Sequence, residues 1–489
     1  MFYRKTKLAL ARKEEQLASR MKLARGYEAA KQDRLVDGWG GDYGVASFDI
    51  SSQLPVIRNR CRELAKNDPY VSKYIVQLRN NVIGHAGIKL SCNVTDWVNG
   101  KRIPDVMASD ILERGWQLWG ETPEFCDTEG KKTLTEILWR AVECWAREGE
   151  ALIEMVPGFD YPQNPFAFSL KIRRPDSLAV GLITVMQNGN NVYNGVEVNS
   201  FGKPVAYHFY TTMSGNGLFS GQTVRVPAIR ILHLFDENYE GQTRGFPLMA
   251  CVVRSLKMAH AYDEAELVAA RVDASRNGSY QQKEGIDPTE IAEAGDNGFS
   301  QVLEPGQDRI VPIGWEYNPE APSRPNAGYG QFKKDVLRRI AAGLAVSYNT
   351  WSNDLEGVSY SSIRAGTLED RETWKCYQSM VVNHILRPMY RRAGGWLDNC
   401  LTAGATPLPF SKRAKFGTCD TWLGKRWQWV DPMSEAQSNV IAVEHGWTTD
   451  SDIAAENGKD FYDNVETIKT EAEWTKGTSL DKALQQKPV

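Results

Sequence analysis

The chain has 489 residues, of which 42% are hydrophobic, so it can bury sizeable cores. Its length alone predicts about three domains. The formal net charge of −3 argues against a protein that wraps nucleic acid by neutralising many phosphates, because such surfaces are strongly basic. We therefore expect any contact with nucleic acid to be weak or local.

The eight cysteines show none of the close pairing that zinc sites and disulfide frameworks require. No apolar run approaches the length of a membrane span, and the first residues lack the apolar core of a signal peptide. We expect a soluble protein that is made in a reducing cytoplasm and has no contact with a membrane.

The first part of the chain reads as a charged arm followed by helices. Residues 1–45 form the arm, which is either a solvated terminal helix or a segment that docks on a partner. A helical period from Gln53 to Val82 is interrupted by Asn67-Asp68-Pro69, a cap followed by a proline in the first turn. This pattern predicts two short helices.

The next part alternates helices and strands. Helices are predicted over Ala108–Trp119 and Leu134–Glu148, and strands over Ile88–Val94 and Ala151–Val156. Between residues 166 and 234, short β-rich runs are separated by Asn-Gly and Ser-Gly turns, which predicts a small antiparallel sheet with long hairpins.

Two long helices with an excursion between them come next. The first is predicted over Pro247–Ser275, and residues 281–325 are rich in Gly, Pro and acids, which is typical of a compact projection. The second helix carries an apolar residue at every fourth position: Phe332, Val336, Ile340 and Leu344. It also has a basic flank, formed by Lys333, Lys334, Arg338 and Arg339.

The most informative segment is a polar loop with several aromatic rings at residues 348–360, between two helical patterns. Such a loop is suited to touching something that moves past it. The helix that follows starts at Ser361 and Ser362 and is kinked or ended by Pro388. Helices resume from Ser434, and the last residues, 476–489, are expected to be disordered.

No residue set in the sequence supports catalysis. Gly357-Val358-Ser359-Tyr360-Ser361 lacks the second glycine of a nucleophile elbow, and no phosphate-binding Gly-Lys-Ser/Thr element is present. Cys376 and His384 are interpreted as buried packing residues. Three acids near residue 150 are interpreted as solvated: Glu148, Glu150 and Glu154. We therefore expect no enzyme activity, no cofactor and no metal site.

Between residues 51 and 473, the order of short motifs resembles the lambda-type family of bacteriophage portal proteins. The motifs include Asn67-Asp68-Pro69-Tyr70, Asn81-Val82-Ile83-Gly84, Gly241-Gln242-Thr243-Arg244-Gly245, Leu303-Glu304-Pro305-Gly306, Ile340-Ala341-Ala342-Gly343-Leu344, Tyr360-Ser361-Ser362-Ile363-Arg364-Ala365-Gly366 and Trp429-Val430-Asp431-Pro432. Two positions depart from the family pattern: Ala345 stands where glycine is expected, and Ser359 stands where asparagine is common.

The resemblance implies an α+β, portal-type fold that assembles as a ring, typically a dodecamer. Its parts would be a wing (46–246), stem helices (247–275 and 327–346), a clip (276–326), a tunnel loop (347–360), a long helix with a return to the wing (361–426) and a helical crown (427–475). The ring would sit at a capsid vertex of the virion after assembly in the host cytoplasm. It would contact the major capsid protein, a separate terminase, head–tail connector proteins and the double-stranded DNA that passes through it.

The resemblance also suggests which residues face the channel. Four loop residues are expected to line it: Asn349, Ser352, Asn353 and Glu356. The basic flank of Lys333, Lys334, Arg338 and Arg339 would contact phosphates or, equally, pair with acids of the neighbouring subunit. The alternative function is that of another head-assembly or adaptor protein without a DNA channel, and a cysteine hydrolase is a more distant one.

Overall fold

The computed structural model describes residues 46–159, 164–213, 219–275, 279–282, 311, 315–318, 328–427, 432–456 and 461–476. The chain divides into two compact units, residues 1–48 and residues 49–489. The predicted N-terminal arm, most of the predicted projection and the predicted disordered tail lie outside the described residues.

The fold mixes helices and antiparallel sheets. The helices are α1 (Ala46–Asn67), α2 (Pro69–Val82), α3 (Val106–Glu121), α4 (Pro123–Cys126), α5 (Leu134–Glu148), α6 (Val253–Ser275), α7 (Tyr329–Gly343), α8 (Tyr348–Ser352), α9 (Tyr360–Val381), α10 (Arg387–Arg391), α11 (Trp396–Ala403), α12 (Arg413–Phe416), α13 (Pro432–Glu444), α14 (Asp450–Glu456) and α15 (Phe461–Thr475). A π-helical turn, Val382–Leu386, joins α9 to α10 just before Pro388. None of the described helices is both long and apolar enough to cross a lipid bilayer.

The strands form five small sheets within the described residues. They are β1 (Lys89–Cys92), β2 (Thr95–Val98), β3 (Lys101–Pro104), β4 (Glu150–Pro157), β5 (Phe168–Arg173), β6 (Thr184–Val185), β7 (Asn191–Tyr193), β8 (Val196–Val198), β9 (Pro204–Met213), β10 (Phe219–Pro227), β11 (Ile231–Phe235), β12 (Ser279–Gln282), β13 (Trp315–Asn318) and β14 (Asp420–Leu423). The sheet orders are β10-β9-β8-β7-β6, β11-β4-β5, β1-β14, β2-β3 and β12-β13.

Local signals explain where several helices begin and end. Asp68 accepts hydrogen bonds from the backbone N–H groups of Tyr70 (2.9 Å) and Val71 (3.0 Å), so the cap and proline between α1 and α2 are confirmed. Helix α5 has the predicted bounds, because Thr133 and Glu136 form a capping box and Gly149 ends the helix in the left-handed conformation.

The main core contains an aromatic cluster that is centred on Trp116 of α3. The Trp116 ring lies 5.1 Å from that of Trp119, 5.2 Å from that of Trp396 and 5.3 Å from that of Trp422. Trp119 also donates a hydrogen bond to the carbonyl of Phe168 in β5 (2.9 Å). The core therefore joins early helices to segments almost 300 residues later in the chain, and it forms one body with β4 and β5.

Two predicted elements differ from the structure, and one observed strand was not predicted. The long helix predicted from Pro247 begins at Val253, because residues 247–252 form tight turns, with the Val252 amide bonded to the Met249 carbonyl (3.0 Å). The predicted loop at 348–360 begins with the helical turn α8. Strand β14 was not predicted, since its pattern is short and its partner, β1, lies more than 300 residues away.

Candidate functional site

The segment between α7 and α9 consists of an anchored part and an exposed part. Helix α7 ends in a Schellman turn, in which the Val346 amide donates to the Ala341 carbonyl (3.1 Å). Helix α8 follows, and residues 353–359, which we name the tip segment, lead to α9. The Ser359 side chain caps α9 by accepting the Ser362 amide (3.3 Å).

Helix α8 is held to the body by one large side chain and one buried acid. Trp351 is fully buried, and its ring nitrogen donates to the carbonyl of Tyr70 in α2 (3.0 Å). Asp370 of α9 accepts the Ser347 amide (2.7 Å) and the Ser347 hydroxyl (2.8 Å). These contacts explain why the segment predicted as a loop starts as a helix: burial of Trp351 fixes its backbone.

The tip segment is exposed and bounded by left-handed residues. Asn353 has φ 61° and Gly357 has φ 67°, and Leu355 and Glu356 between them are exposed. The Lys73 ammonium of α2 contacts the Asn353 side chain and donates to the carbonyl of Thr350 (2.7 Å). The exposed part of the loop that the sequence predicted is therefore reduced to a few residues after α8.

The four predicted loop residues do not share one environment. Asn353 and Glu356 lie in the tip segment and are exposed. Asn349 and Ser352 lie on α8 and are half-buried, and the Ser352 hydroxyl donates to the Tyr348 carbonyl (2.7 Å). Asn353 and Glu356 thus lie together in the tip segment, whereas Asn349 and Ser352 lie apart from them on α8.

Three of the four basic residues on α7 have acidic partners in the same chain. Lys333 binds Asp263 of α6 (2.8 Å). Lys334 binds Asp354 (3.2 Å) and reaches Glu356 (4.0 Å). Arg338 binds Asp335 on its own helix (3.0 Å).

The fourth base, Arg339, is exposed and has no ion-pair partner among the residues the structure describes. Hydrogen bonds from Tyr348 and Lys334 lower the pKa of Asp354 below its usual value. Partial burial opposes ionisation of Lys333, but the hydrogen bond to Asp263 outweighs it and raises the Lys333 pKa. Most of the positive charge near the tip segment is therefore already neutralised.

The three acids near residue 150 are buried, so the prediction that they are solvated is wrong. Glu150 is fully buried and accepts hydrogen bonds from Arg58 (2.8 Å), Arg244 (2.9 Å from Nε) and the ring of His233 (3.0 Å). Burial alone would raise the pKa of Glu150, but the two guanidinium groups outweigh it and hold that pKa well below its usual value.

The other two acids have similar partners. Glu148 binds Arg62 (2.5 Å), and Glu154 binds Arg173 (2.8 Å from Nε). The sequence signal that could have identified the Glu150 cluster is Arg244 inside the Gly241–Gly245 motif. A fully buried arginine needs a buried acid as its partner.

The residues considered for a hydrolase do not form a site. Cys376 is exposed on α9, so the expectation that it is buried is wrong, and His384 is exposed as well. No hydrogen bond or ion pair joins the two side chains in the described part of the chain. Ser359 serves as the cap of α9.

Comparison with known proteins matches residues 32–378 to the family model of phage portal proteins of the lambda family. The chain is 29% identical over 447 residues to the probable portal protein of Halomonas phage phiHAP-1, covering 90% of this chain and 84% of that protein. It is 23% identical over 445 residues to portal protein B of Escherichia phage lambda, covering 82% of this chain and 80% of that protein.

A solved structure, the neck of an empty gene transfer agent (GTA) particle computed with C6 symmetry, has a TM-score of 0.48 and 15% identity to this chain. The match covers 87% of this chain and 98% of the chain in that structure.

The family model spans well over half of the sequence. The chain therefore belongs to the lambda family of phage portal proteins.

Proposed function

We propose that this portal protein assembles as a ring at a capsid vertex, where it forms the channel for DNA packaging and ejection. Family membership supports this role. A terminase would dock on the ring during packaging, and head–tail connector proteins would replace it afterwards. We propose a structural role with no catalytic step.

In this proposal the parts of the fold take the family's functions. Residues 46–246 and 361–426 form the wing, α6 and α7 form the stem, and residues 427–475 form the crown. The clip, 276–326, would face terminase, and its described part is the β12–β13 pair. The tip segment would reach into the channel as the moving end of the tunnel loop.

One observation carries the proposal for the channel surface: an exposed tip is held between anchored helices, beside bases that are already paired with acids. A channel must touch DNA without gripping it, because each neutralised phosphate adds affinity that translocation must overcome. The ion pairs of Lys333, Lys334 and Arg338 limit such gripping. Asn353 and Glu356 would contact the passing duplex, and Asn349 and Ser352 would support them from α8. Lys333, Lys334 and Arg338 would contact phosphates only when released from their ion pairs, whereas Arg339 would contact them directly.

The test places a bulky group at the tip and at a matched surface position. Glu356→Cys and Glu129→Cys both replace an exposed glutamate, in a background where the exposed Cys251 and Cys376 are replaced by serine. The introduced cysteine of each variant is biotinylated. The protein is then assembled into rings, and streptavidin is bound to the biotin. DNA packaging into proheads is then measured as nuclease-protected DNA.

We expect streptavidin at position 356 to block packaging and streptavidin at position 129 to leave it nearly unchanged. If the two streptavidin-loaded rings packaged DNA equally well, the proposal that the tip segment reaches into the channel would be wrong. The adaptor function would be favoured by two results together. The wild-type protein would form no closed ring under any assembly condition, and particles that lack the protein would still package DNA.

A further inference from the structure

The β2–β3 ribbon extends from the body with no third strand beside it in the described structure. Its turn, Asn99-Gly100, has φ 54° and 76°, the combination of a tight hairpin turn that suits Asn-Gly. Trp97 is paired directly with Arg102, and the guanidinium lies 5.2 Å from the indole ring. A two-stranded ribbon is marginally stable in water, so this one is suited to be stabilised by a partner.

The ribbon presents apolar side chains on both faces. Trp97 is 67% exposed on one face and Ile103 is 47% exposed on the other, since the two residues belong to successive cross-strand pairs. Val106 and Met107, at the start of α3, are exposed beside it. Exposed tryptophan and methionine side chains are typical of an interface.

The ribbon is also positively charged. Lys101 and Arg102 are exposed and have no acidic partner among the described side chains. The acids at the base of the ribbon, Asp96 and Asp105, are both bound by Lys415, at 2.8 Å for Asp96. Lys415 thus fixes the base, which keeps a residual negative charge, while the end carries two unpaired positive charges.

A complementary surface lies in residues 236–241, between β11 and α6. Glu237, Tyr239 and Glu240 are exposed there, and none of the three has a basic partner in the described parts of the chain. The loop has a defined shape, because Gln242 accepts the amides of Asn238 (3.0 Å) and Tyr239 (3.3 Å). It borders an open depression of about 460 Å³.

We propose that the β2–β3 ribbon of one copy docks on residues 236–241 of a neighbouring copy. The two surfaces have opposite charge, and Tyr239 offers a ring for Arg102 or Lys101. No hydrogen bond, ion pair or ring contact links them within the described part of one copy. Two different complementary surfaces on one chain form a head-to-tail contact, which is the type that closes a ring.

This inference rests on the ring of the proposed function and names one of its contacts. The test uses two double charge reversals, Lys101→Glu with Arg102→Glu and Glu237→Lys with Glu240→Lys, alone and combined. Assembly is followed by mass photometry as a function of protein concentration, and the thermal midpoint of each variant is measured. Arg114→Glu, a reversal of an exposed base on α3, is the matched control.

Each double reversal should raise the concentration for half-assembly by about tenfold or more, because like charges then face each other. The combined variant should return to within about threefold of wild type, and Arg114→Glu should assemble like wild type. Trp97→Ala should weaken assembly without changing its salt dependence.

Two outcomes would overturn the docking contact while leaving the ring intact: unchanged assembly by both reversals, or a folded combined variant that is not rescued. A ribbon reversal that impairs packaging but not assembly would assign the ribbon to another protein and would also overturn it. Failure of the wild type to form any ring would instead overturn the proposed function.

Discussion

Ala345 adopts a backbone conformation that a side chain disfavours. Its φ is 53°, in the left-handed region, and it occupies the position after the cap of α7 where glycine is usual. The Schellman hydrogen bonds require this conformation, with the Ala345 amide bonded to Ala342 (3.3 Å) and the Val346 amide to Ala341 (3.1 Å). The departure from the family pattern at Ala345 is therefore a local strain that the sequence alone could indicate.

Ala345→Gly should stabilise the protein. Removing the Cβ relieves a left-handed alanine, which costs about 1–2 kcal/mol, and the more flexible unfolded chain offsets part of this gain. We expect the free energy of unfolding to rise by about 0.5–1 kcal/mol in urea denaturation. The control is Ala342→Gly in the right-handed last turn of α7, which should lower it by about 0.5–1 kcal/mol. If both substitutions changed the free energy of unfolding in the same direction, the backbone strain at Ala345 would be contradicted.

Glu150 shows what residue-level patterns miss. In sequence it is one of several acids at a helix-to-strand junction, and nothing local distinguishes it from a solvated glutamate. Its partners, Arg58 and Arg244, are 92 and 94 residues away, so only the tertiary fold brings the charges together. By contrast, the cap at Asp68 was predictable because its partners are its immediate neighbours.

Glu150→Gln should destabilise the protein in a pH-dependent way. The folded pKa of Glu150 lies well below its usual value, so its stabilising contribution is present at neutral pH and is lost as the pH falls below about 4.3 toward the folded pKa. At pH 7 the variant leaves the buried Arg244 without a carboxylate partner and Arg58 with only the more distant Asp176 (4.0 Å), and we expect a loss of about 3–5 kcal/mol. Denaturation curves at pH 7 and pH 3.5 should show a smaller difference from wild type in acid.

Glu129→Gln is the matched control, since Glu129 is exposed and pairs with Lys131 at the surface. It should change the free energy of unfolding by less than about 1 kcal/mol. A difference between Glu150→Gln and wild type that stays constant from pH 7 to pH 3.5 would show that the carboxylate charge is not what stabilises the cluster.

At the scale of elements, helices were easier to predict than strands. Helix α5 was located to the residue because its capping box and its terminal Gly149 are local signals. Strand β14 and helix α8 depend on distant partners, β1 for the first and the Tyr70 carbonyl for the second. Aromatic residues in the 348–360 segment suggested exposure, yet Trp351 is among the most buried side chains of the described residues.

The division of this segment into an anchor and a tip predicts opposite results for two neighbouring substitutions. Trp351→Ala removes a buried ring and its hydrogen bond, and should lower the free energy of unfolding by about 3–5 kcal/mol. Leu355→Ala, at a side chain that is 58% exposed, should change it by less than about 0.5 kcal/mol. Chemical denaturation of both variants measures the difference, and similar losses would mean that the tip is packed as tightly as α8.

At the scale of the whole molecule, charge is balanced locally as well as overall. The net charge is only −3, and three of the four bases beside the tip segment are held by acids of the same chain. The sequence indicated both the acids and the bases but not their pairing, because Asp263 and Lys333 lie on different helices separated by the projection. The pairing converts a basic flank into a nearly neutral surface.

Freeing Lys334 should therefore make an assembled ring hold DNA more tightly. Asp354→Asn with Glu356→Gln removes both of its partners, so the ammonium can bind a phosphate and release a counterion. We expect DNA affinity to rise at low salt and the slope of log K against log salt to steepen by about 0.9 for each phosphate newly bound. Asp110→Asn, which frees Arg114 on α3, is the control and should leave the slope unchanged. An unchanged slope in the tip variant would mean that Lys334 does not reach the DNA. A steeper slope with slower packaging would show that the ion pairs of Lys334 prevent the channel from binding DNA too tightly.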